Sequence, residues 1–209
     1  DLAGETGAQM IVWPGIEGYN YPFQTPYKES WARFVDGVGE AAQHAKERGV
    51  TVFLEHKKLY RSVKEAVPAG DYELPLGRAR LVRAGDDVTI VTWGAMVLTS
   101  MEAAERLAVD GISVEILDLQ TIVPLDWEAV FTSVRKTSRL VVVQEDVPFA
   151  SVASEVAARV AAEAFWDLDG PIMRVTPPHT HIPFAAILED AFVPQVADVV
   201  AAVNTLAAL

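Results

Sequence analysis

The feature that most constrains the fold is a repeated alternation of short apolar runs with helical apolar stripes. Four runs have the length and composition of buried strands, at residues 88–93, 114–119, 140–143 and 172–175. Helical patterns separate them, and strands that alternate with helices favour a parallel sheet covered on both faces. We therefore predict a three-layer α/β fold with a mostly parallel sheet.

Capping residues place the helices between these strands. Asp126 and Ser151 each precede an apolar helical pattern, and their side-chain oxygens can accept a backbone N–H at a helix start. We expect the helix after Ser151 to run to about residue 165, and a last helix to begin at Pro194. Apolar stripes mark two further helical faces: Val97, Met101, Ala104 and Ala108 before Gly111, and Val196, Val199, Val200 and Val203 near the C-terminus.

The first 57 residues predict a separate βαβ unit. Residues 10–13 and 50–55 have strand character, and an apolar stripe at helical spacing lies between them at residues 31–45. Such a unit is expected to be parallel and right-handed. A charged stretch punctuated by Pro and Gly follows, which predicts three parts: a βαβ fragment over 1–57, a linker over 58–77 and a main domain over 78–209.

Composition excludes several functions. The net charge of −12 argues against a nucleic-acid surface, which needs clustered Lys and Arg. The chain has no cysteine, which excludes disulfides and thiolate chemistry, and it has no apolar run long enough to span a bilayer. We expect a soluble cytoplasmic protein. The start at Asp1, without Met, suggests a trimmed or excised piece.

Several motifs then identify a family. The longest is Asp118-Leu119-Gln120-Thr121-Ile122-Val123-Pro124-Leu125-Asp126, and it occurs in order with residues 57–61, 74–79, 92–94, 141–145, 174–176, 182–184, 188–190 and 193–194. Together these residues resemble the C-terminal domain of the beta subunit of thiamine-dependent 2-oxoacid dehydrogenases, a transketolase C-terminal-like domain. The resemblance implies a three-layer α/β unit that closes a dimer and helps to dock a partner subunit.

The resemblance also implies where catalysis lies. In the family, thiamine diphosphate and magnesium are held by other domains or subunits, through a Gly-Asp-Gly signature that neither Gly70-Asp71-Tyr72 nor Gly85-Asp86-Asp87 matches. Gln120 stands where the family usually has Arg, which removes a cation from that loop. We therefore expect a homo-oligomeric assembly module that binds no cofactor alone and does not decarboxylate by itself, although it is related by descent to an oxidoreductase.

The N-terminal part resembles a different family. Residues 13–19 and 53–57 are similar to two strand ends of xylose-isomerase-like sugar isomerase barrels, where a Glu at the Glu55 position binds a divalent metal and a Lys at the Lys57 position assists catalysis. One βαβ unit is far too little for an eight-unit barrel. We infer a chimera with its seam near residues 55–58. The alternative is a diverged remnant of the beta subunit's own pyrimidine-binding domain, which ends in a similar pentapeptide.

Two polar clusters are candidate sites. His179 and His181 are two residues apart, so in a strand-like segment both imidazoles would face one side and could meet a metal or a substrate. Glu145-Asp146 follows a strand, and could bind a cation or cap the helix near Ser151. The enzyme hypothesis is therefore a metal-dependent sugar isomerase-like activity, or another recruited activity, at a fusion-created pocket that uses Glu55, Lys57 or the two histidines, His179 and His181. A purely structural role is the third hypothesis.

Overall fold

The computed structural model describes residues 10–14, 43, 47, 51–64 and 66–209. The chain divides into two compact units, Asp1–Glu65 and Ala66–Leu209. Each unit has its own sheet, so the two are described separately.

The first unit contains a parallel strand pair. Strands β1 (Met10–Pro14) and β2 (Thr51–Glu55) pair with Met10 opposite Thr51, and a short 3-10 helix follows at Lys57–Arg61. Gln43 and Glu47 are helical, and the Gln43 amide donates to Glu47 over 2.9 Å. The two predicted strands and their parallel pairing are confirmed. Apart from Gln43, the predicted helix over 31–45 lies outside the described residues.

The second unit is built on a five-stranded sheet. Its strands are β3 (Arg80–Arg83), β4 (Val88–Thr92), β5 (Val114–Asp118), β6 (Leu140–Val143) and β7 (Met173–Val175), in the order β3-β5-β4-β6-β7. The last four strands run parallel, whereas β3 pairs antiparallel with β5. Because parallel neighbours need crossover connections, helices join them.

Helices cover both faces of this sheet. They are α1 (Met96–Val109), α2 (Trp127–Thr137), α3 (Val152–Glu163), α4 (Ala186–Phe192) and α5 (Val196–Ala207). Helices α1 and α5 contact each other and the sheet, while α2 and α3 pack on its other face against Val91, Leu117 and Val142. Alternate strand residues such as Ile90 point the opposite way, and all of β4, β5 and β6 is buried.

The predicted α/β fold is confirmed, although one strand and one α-helix of the second unit were not predicted. The four predicted strands of the sheet and both capped helices are present, and Asp126 and Ser151 accept from the backbone N–H of Ala129 and Ser154. Helix α5 starts two residues after Pro194, with Gln195 as its cap. The sequence did not indicate β3, which is short and bulged, or α4, which buries only Phe192. No helix in the described ranges has the length and apolarity to cross a membrane.

Candidate functional site

The carboxyl ends of four parallel strands meet at one edge of the second unit's sheet. The loops that follow β5, β6 and β7 lie there, together with the segment before β3, because Arg80 at the start of antiparallel β3 lies opposite Asp118. We call this the carboxyl edge, and it comprises residues 74–79, 119–126, 144–151 and 176–185. The amino edge, on the opposite side, comprises residues 84–87, 109–113, 136–139, 164–170 and 207–209.

The loop after β5 is tied to the segment before β3. The Gly77 amide donates to the Thr121 hydroxyl over 3.1 Å, and the Ala79 amide donates to the Asp126 carboxylate over 3.0 Å. Gly77 has a φ of 73°, and a Cβ there would lie 3.0 Å from the Pro124 ring. Glycine is therefore favoured by both the backbone conformation and the close packing. These contacts hold the loop while Val123 stays 87% exposed.

Asp126 caps a helix, as the sequence predicts, and Asp118 ends β5 and bonds to the loop that follows it. The second Asp126 oxygen accepts from the Ala129 amide over 3.2 Å and so caps α2. Asp118 accepts from the Gln120 amide over 3.2 Å, and Arg80 lies 3.6 Å from its carboxylate. Burial raises the pKa of Asp118, although the Gln120 hydrogen bond and the Arg80 charge oppose that rise.

The loop after β6 is organised by Gln144, a residue that sequence reasoning did not single out. Its side chain is buried, donates to the carbonyls of Asp146 and Val147 over 2.8 and 3.0 Å, and accepts from the Ala153 amide over 2.9 Å. One neutral side chain thus fixes both the loop and the start of α3. The sequence feature that could have indicated this role is the polar amide side chain of Gln144, which comes directly after an apolar strand.

This arrangement corrects the interpretation of Glu145-Asp146 as a helix cap. Ser151 caps α3 instead, and Asp146 accepts from the Val147 amide over 2.7 Å within the loop. The N–H groups at the start of α3 are already bonded to Ser151 and Gln144, so neither acid is needed there.

A second set of hydrogen bonds, made by Arg174 and Ser154, positions Phe149. Arg174 donates to the Pro148 carbonyl over 3.0 Å and to the Ser154 hydroxyl over 2.8 Å, and that hydroxyl donates to the same carbonyl over 2.7 Å. The turn carries Phe149 outward, where its ring is 73% exposed and stacks on His179 with centroids 5.7 Å apart. A large apolar ring is therefore held in solvent by a bonded turn.

Exposed apolar side chains collect along the carboxyl edge. Large apolar side chains that stay exposed at one edge of a sheet indicate a candidate protein–protein contact site. We call this set the apolar rim, and it comprises Leu74, Leu76, Ile122, Val123, Phe149, Ile182 and Phe184. Exposed apolar residues of the amino edge are Val109, Phe165, Trp166 and Leu209.

A depression of about 380 Å³ lies beside the rim. It is lined by Ile122, Val123, Pro124, Leu125, Trp127, Val152 and Glu155. Six of these residues are apolar and one carries a carboxylate, so the depression can take an apolar group that ends in a cation or a hydrogen-bond donor.

The structure does not support the strand-like geometry expected around the two histidines. Residues 176–185 form no strand, and a bend at His179 and Thr180 brings the Thr180 amide to the Pro178 carbonyl over 2.8 Å. Both imidazoles are exposed, but the strand alternation that would align them is interrupted by the bend at His179 and Thr180. His179 instead contacts Phe149.

Glu55 and Lys57 lie in the first unit. Glu55 ends β2 and is partly buried, and Lys57 begins the 3-10 helix, with its side chain outside the described residues. Within the ranges that the structure describes, no three His, Cys, Asp or Glu side chains lie close enough together to hold a metal ion. Glu55 as a metal ligand and Lys57, His179 and His181 as catalytic groups stay predictions.

The two Gly-Asp sequences do not fit a diphosphate and magnesium site. A Cβ at Gly85 would lie 2.1 Å from the Val114 backbone, so this glycine packs directly on β5. Asp86 and Asp87 are engaged at the amino edge, where Asp87 accepts from the Ser113 amide over 2.6 Å and Asp86 lies 3.3 Å from Lys136. Gly70, Asp71 and Tyr72 are all exposed in an irregular segment.

The family model for the transketolase C-terminal domain matches residues 77–199. This range contains the sheet and the loops after β5, β6 and β7. The chain belongs to this family. The family resemblance inferred from the motifs is thereby confirmed for the main part of the chain.

Two curated relatives that the chain resembles are beta subunits. The chain is 45% identical over 80% of its length to the beta subunit of acetoin:2,6-dichlorophenolindophenol oxidoreductase of Cupriavidus necator, covering 49% of that protein. It is 40% identical over 82% of its length to the 2-oxoisovalerate dehydrogenase beta subunit of Bacillus subtilis, covering 53% of it. The chain therefore spans about half the length of these relatives.

A solved structure shares the fold. It is described as an inactive beta4 tetramer of a split-gene transketolase, and it matches with a TM-score of 0.63 and 28% identity. The match covers 80% of this chain and 52% of that one.

These matches bear on the predicted seam. Residues 58–209 number only 152, whereas the match to the acetoin oxidoreductase subunit spans 167 residues, so it begins upstream of Lys58. The beta-subunit resemblance therefore continues through the first unit's β2. The comparisons give no support to a sugar-isomerase fragment or to a chimera.

Proposed function

We propose that this chain is an assembly module of a thiamine-dependent 2-oxoacid dehydrogenase beta subunit, and that its carboxyl edge docks another subunit. The observation that carries the proposal is the apolar rim, in which Val123 and Phe149 are exposed although hydrogen bonds to the buried side chains of Asp126 and Gln144 fix the loops that carry them. Ordered loops lose little conformational entropy on binding, so they favour association.

A second copy of the chain is the occupant that the comparisons favour. The matching split-gene transketolase structure is described as a tetramer of beta chains alone. Most homo-oligomers have closed symmetry, in which the same patch of two copies meets across a two-fold axis. A single rim per chain is sufficient for such a contact.

Two valines of equal exposure provide a matched test. Val123 in the rim and Val109 at the amino edge are both 87% exposed. We expect Val123→Lys to weaken self-association at least about tenfold, because a charge would be desolvated in the interface, and Val109→Lys to leave it unchanged. Sedimentation velocity over a concentration series measures both. Equal effects of the two variants, or a wild type that stays monomeric, would contradict the proposal.

We also propose that the chain does not bind thiamine diphosphate by itself. Two observations support this proposal. Gly70 and Asp71 are exposed in an irregular segment, and Gly85 packs against β5, so neither Gly-Asp pair forms a loop that could bind a diphosphate. Isothermal titration calorimetry with thiamine diphosphate and magnesium should give no heat of binding. Binding at micromolar affinity would refute the statement.

Relatives of similar identity are named for acetoin and for 2-oxoisovalerate, and those names describe the relatives. A sugar isomerase-like activity of Glu55, Lys57, His179 and His181 stays a prediction, as does a fused origin. An activity screen of wild type beside Glu55→Ala and His181→Ala tests it, and full rates in both variants would refute it.

A further inference from the structure

Glu155 contributes the single carboxylate that lines the depression beside the rim. It lies in the first turn of α3 and is exposed. Among the described residues its side chain has no hydrogen-bond or ion-pair partner within bonding distance. An apolar depression with one unpaired carboxylate is complementary to a long side chain with an apolar stem and a cationic end.

The cation expected to pair with Glu155 within the helix is engaged elsewhere. Arg159 lies four residues further along α3, at the spacing of a helical ion pair. It bonds to Glu163 over 2.6 Å, and its guanidinium lies 4.2 Å from the centroid of the Trp127 ring. Glu155 is therefore left available to a cation from outside this helix.

Arg78 is an exposed cation on the same carboxyl edge. Its guanidinium lies 3.9 Å from both Asp126 and Glu128, at the outer limit of an ion pair, and its side chain is 62% exposed. The pair with exposed Glu128 contributes little, and buried Asp126 keeps its hydrogen bonds from Ala79 and Ala129 when Arg78 leaves, so Arg78 can exchange both contacts for a closer carboxylate. The edge thus carries both a weakly held cation and an unpaired anion.

We infer that Arg78 of one copy inserts into the depression of a second copy and pairs with Glu155. In a two-fold contact the carboxyl edges of both copies meet, and each copy contributes one Arg78 and one Glu155. The pairing therefore forms twice in each dimer. The stem of Arg78 would lie along Ile122 and Trp127, and its planar guanidinium can bond the carboxylate through two donors. The inference rests on the proposed docking of a second copy and adds the charged contact that sets the register of the two edges.

A double-mutant cycle on the full chain tests the pairing. The association constants of wild type, Glu155→Gln, Arg78→Gln and the double variant are measured by sedimentation equilibrium, with melting curves to confirm that each is folded. Each single change should weaken association about tenfold, since an interfacial ion pair that is partly desolvated is strongly coupled. In the Arg78→Gln background, Glu155→Gln should weaken it by less than about twofold.

A glutamate on another face of the unit provides the control. Glu105 of α1 is also exposed and helical, and Glu105→Gln should leave association unchanged. Equal losses from Glu155→Gln in both backgrounds, or no loss in either, would overturn the pairing. If Val123→Lys dissociates the copies while Glu155→Gln does not, only the pairing fails; if Val123→Lys has no effect, the docking edge itself fails.

Discussion

The two edges of the sheet both expose large apolar side chains, but they hold them in different ways. At the carboxyl edge, Phe149 and Val123 lie on loops bonded by side chains that are largely buried, among them Gln144 and Asp126. At the amino edge, Trp166 lies in a short 3-10 helix whose ion pair joins Arg135 and Asp167, both substantially exposed. Exposed ion pairs contribute little to stability. Exposure therefore does not distinguish Val123 and Phe149 from Trp166, whereas the bonding of the segments that carry these three side chains does.

This difference guides where function is expected. A loop held by buried hydrogen bonds keeps one conformation, and a partner that binds it need not order it first. The carboxyl ends of parallel strands are also the usual site of ligands in α/β sheets. In this chain that location carries an apolar rim, which suits another protein surface better than a small polar substrate.

The largest expected effect concerns the buried amide. Gln144→Leu would leave two carbonyls and one N–H without their partner, and we expect a loss of about 3 kcal/mol in the free energy of unfolding. Urea denaturation measures it. Gln120 is exposed, so Gln120→Leu should change the same quantity by less than about 0.5 kcal/mol. Similar losses in both variants would show that the loop after β6 is not held as described.

A smaller effect is expected at the two helix caps. Asp126→Ala removes the α2 cap and the bond from Ala79, and should cost about 2 kcal/mol, whereas Ser151→Ala removes the α3 cap bond from Ser154 and should cost about 1 kcal/mol. Thermal or urea unfolding ranks the two variants. A larger loss from Ser151→Ala would contradict the role of Asp126 in tying two segments together.

The smallest effect is a pH dependence at Asp118. The pKa of this carboxyl is raised above 3.8 in the folded state, so the folded state holds the proton more tightly than the unfolded state does. Asp118 therefore contributes to the free energy of unfolding below pH 3.8. This contribution decreases to zero as the pH rises through the pKa that the carboxyl has in the folded state. Asp118→Asn should lack this decline, so its stability should increase relative to wild type across that window. A parallel pH profile for the two proteins would refute the assignment.

Much of the fold could be predicted from the sequence because its signals are local. Buried strands such as Leu140–Val143 are continuous apolar runs, and Asp126 and Ser151 mark helix starts by their own chemistry. Strand β3 could not be recognised, since Arg80 and Arg83 break its apolar pattern and its pairing with β5 is distant in the chain. Helix α4 is seven residues long and buries too little to show a stripe.

The site was harder to predict than the fold. The role of Gln144 depends on two carbonyls and one amide that only the folded loop brings to it. The position of the loop that carries Val123 depends on bonds from residues 77 and 79 to Thr121 and Asp126. The prediction that His179 and His181 face the same side was wrong about the backbone, because a bend lies where a strand was assumed. Patterns in sequence identify residue types, but tertiary contacts decide which of them reach solvent together.

The central claim is that association occurs through the carboxyl edge, and hydrogen–deuterium exchange at low and high protein concentration tests it most directly. Association should slow exchange in residues 119–125 and 145–150, and leave residues 109–113 and 164–170 unchanged. Protection confined to the amino edge, or the same exchange at both concentrations in a chain that is shown to associate, would contradict the account.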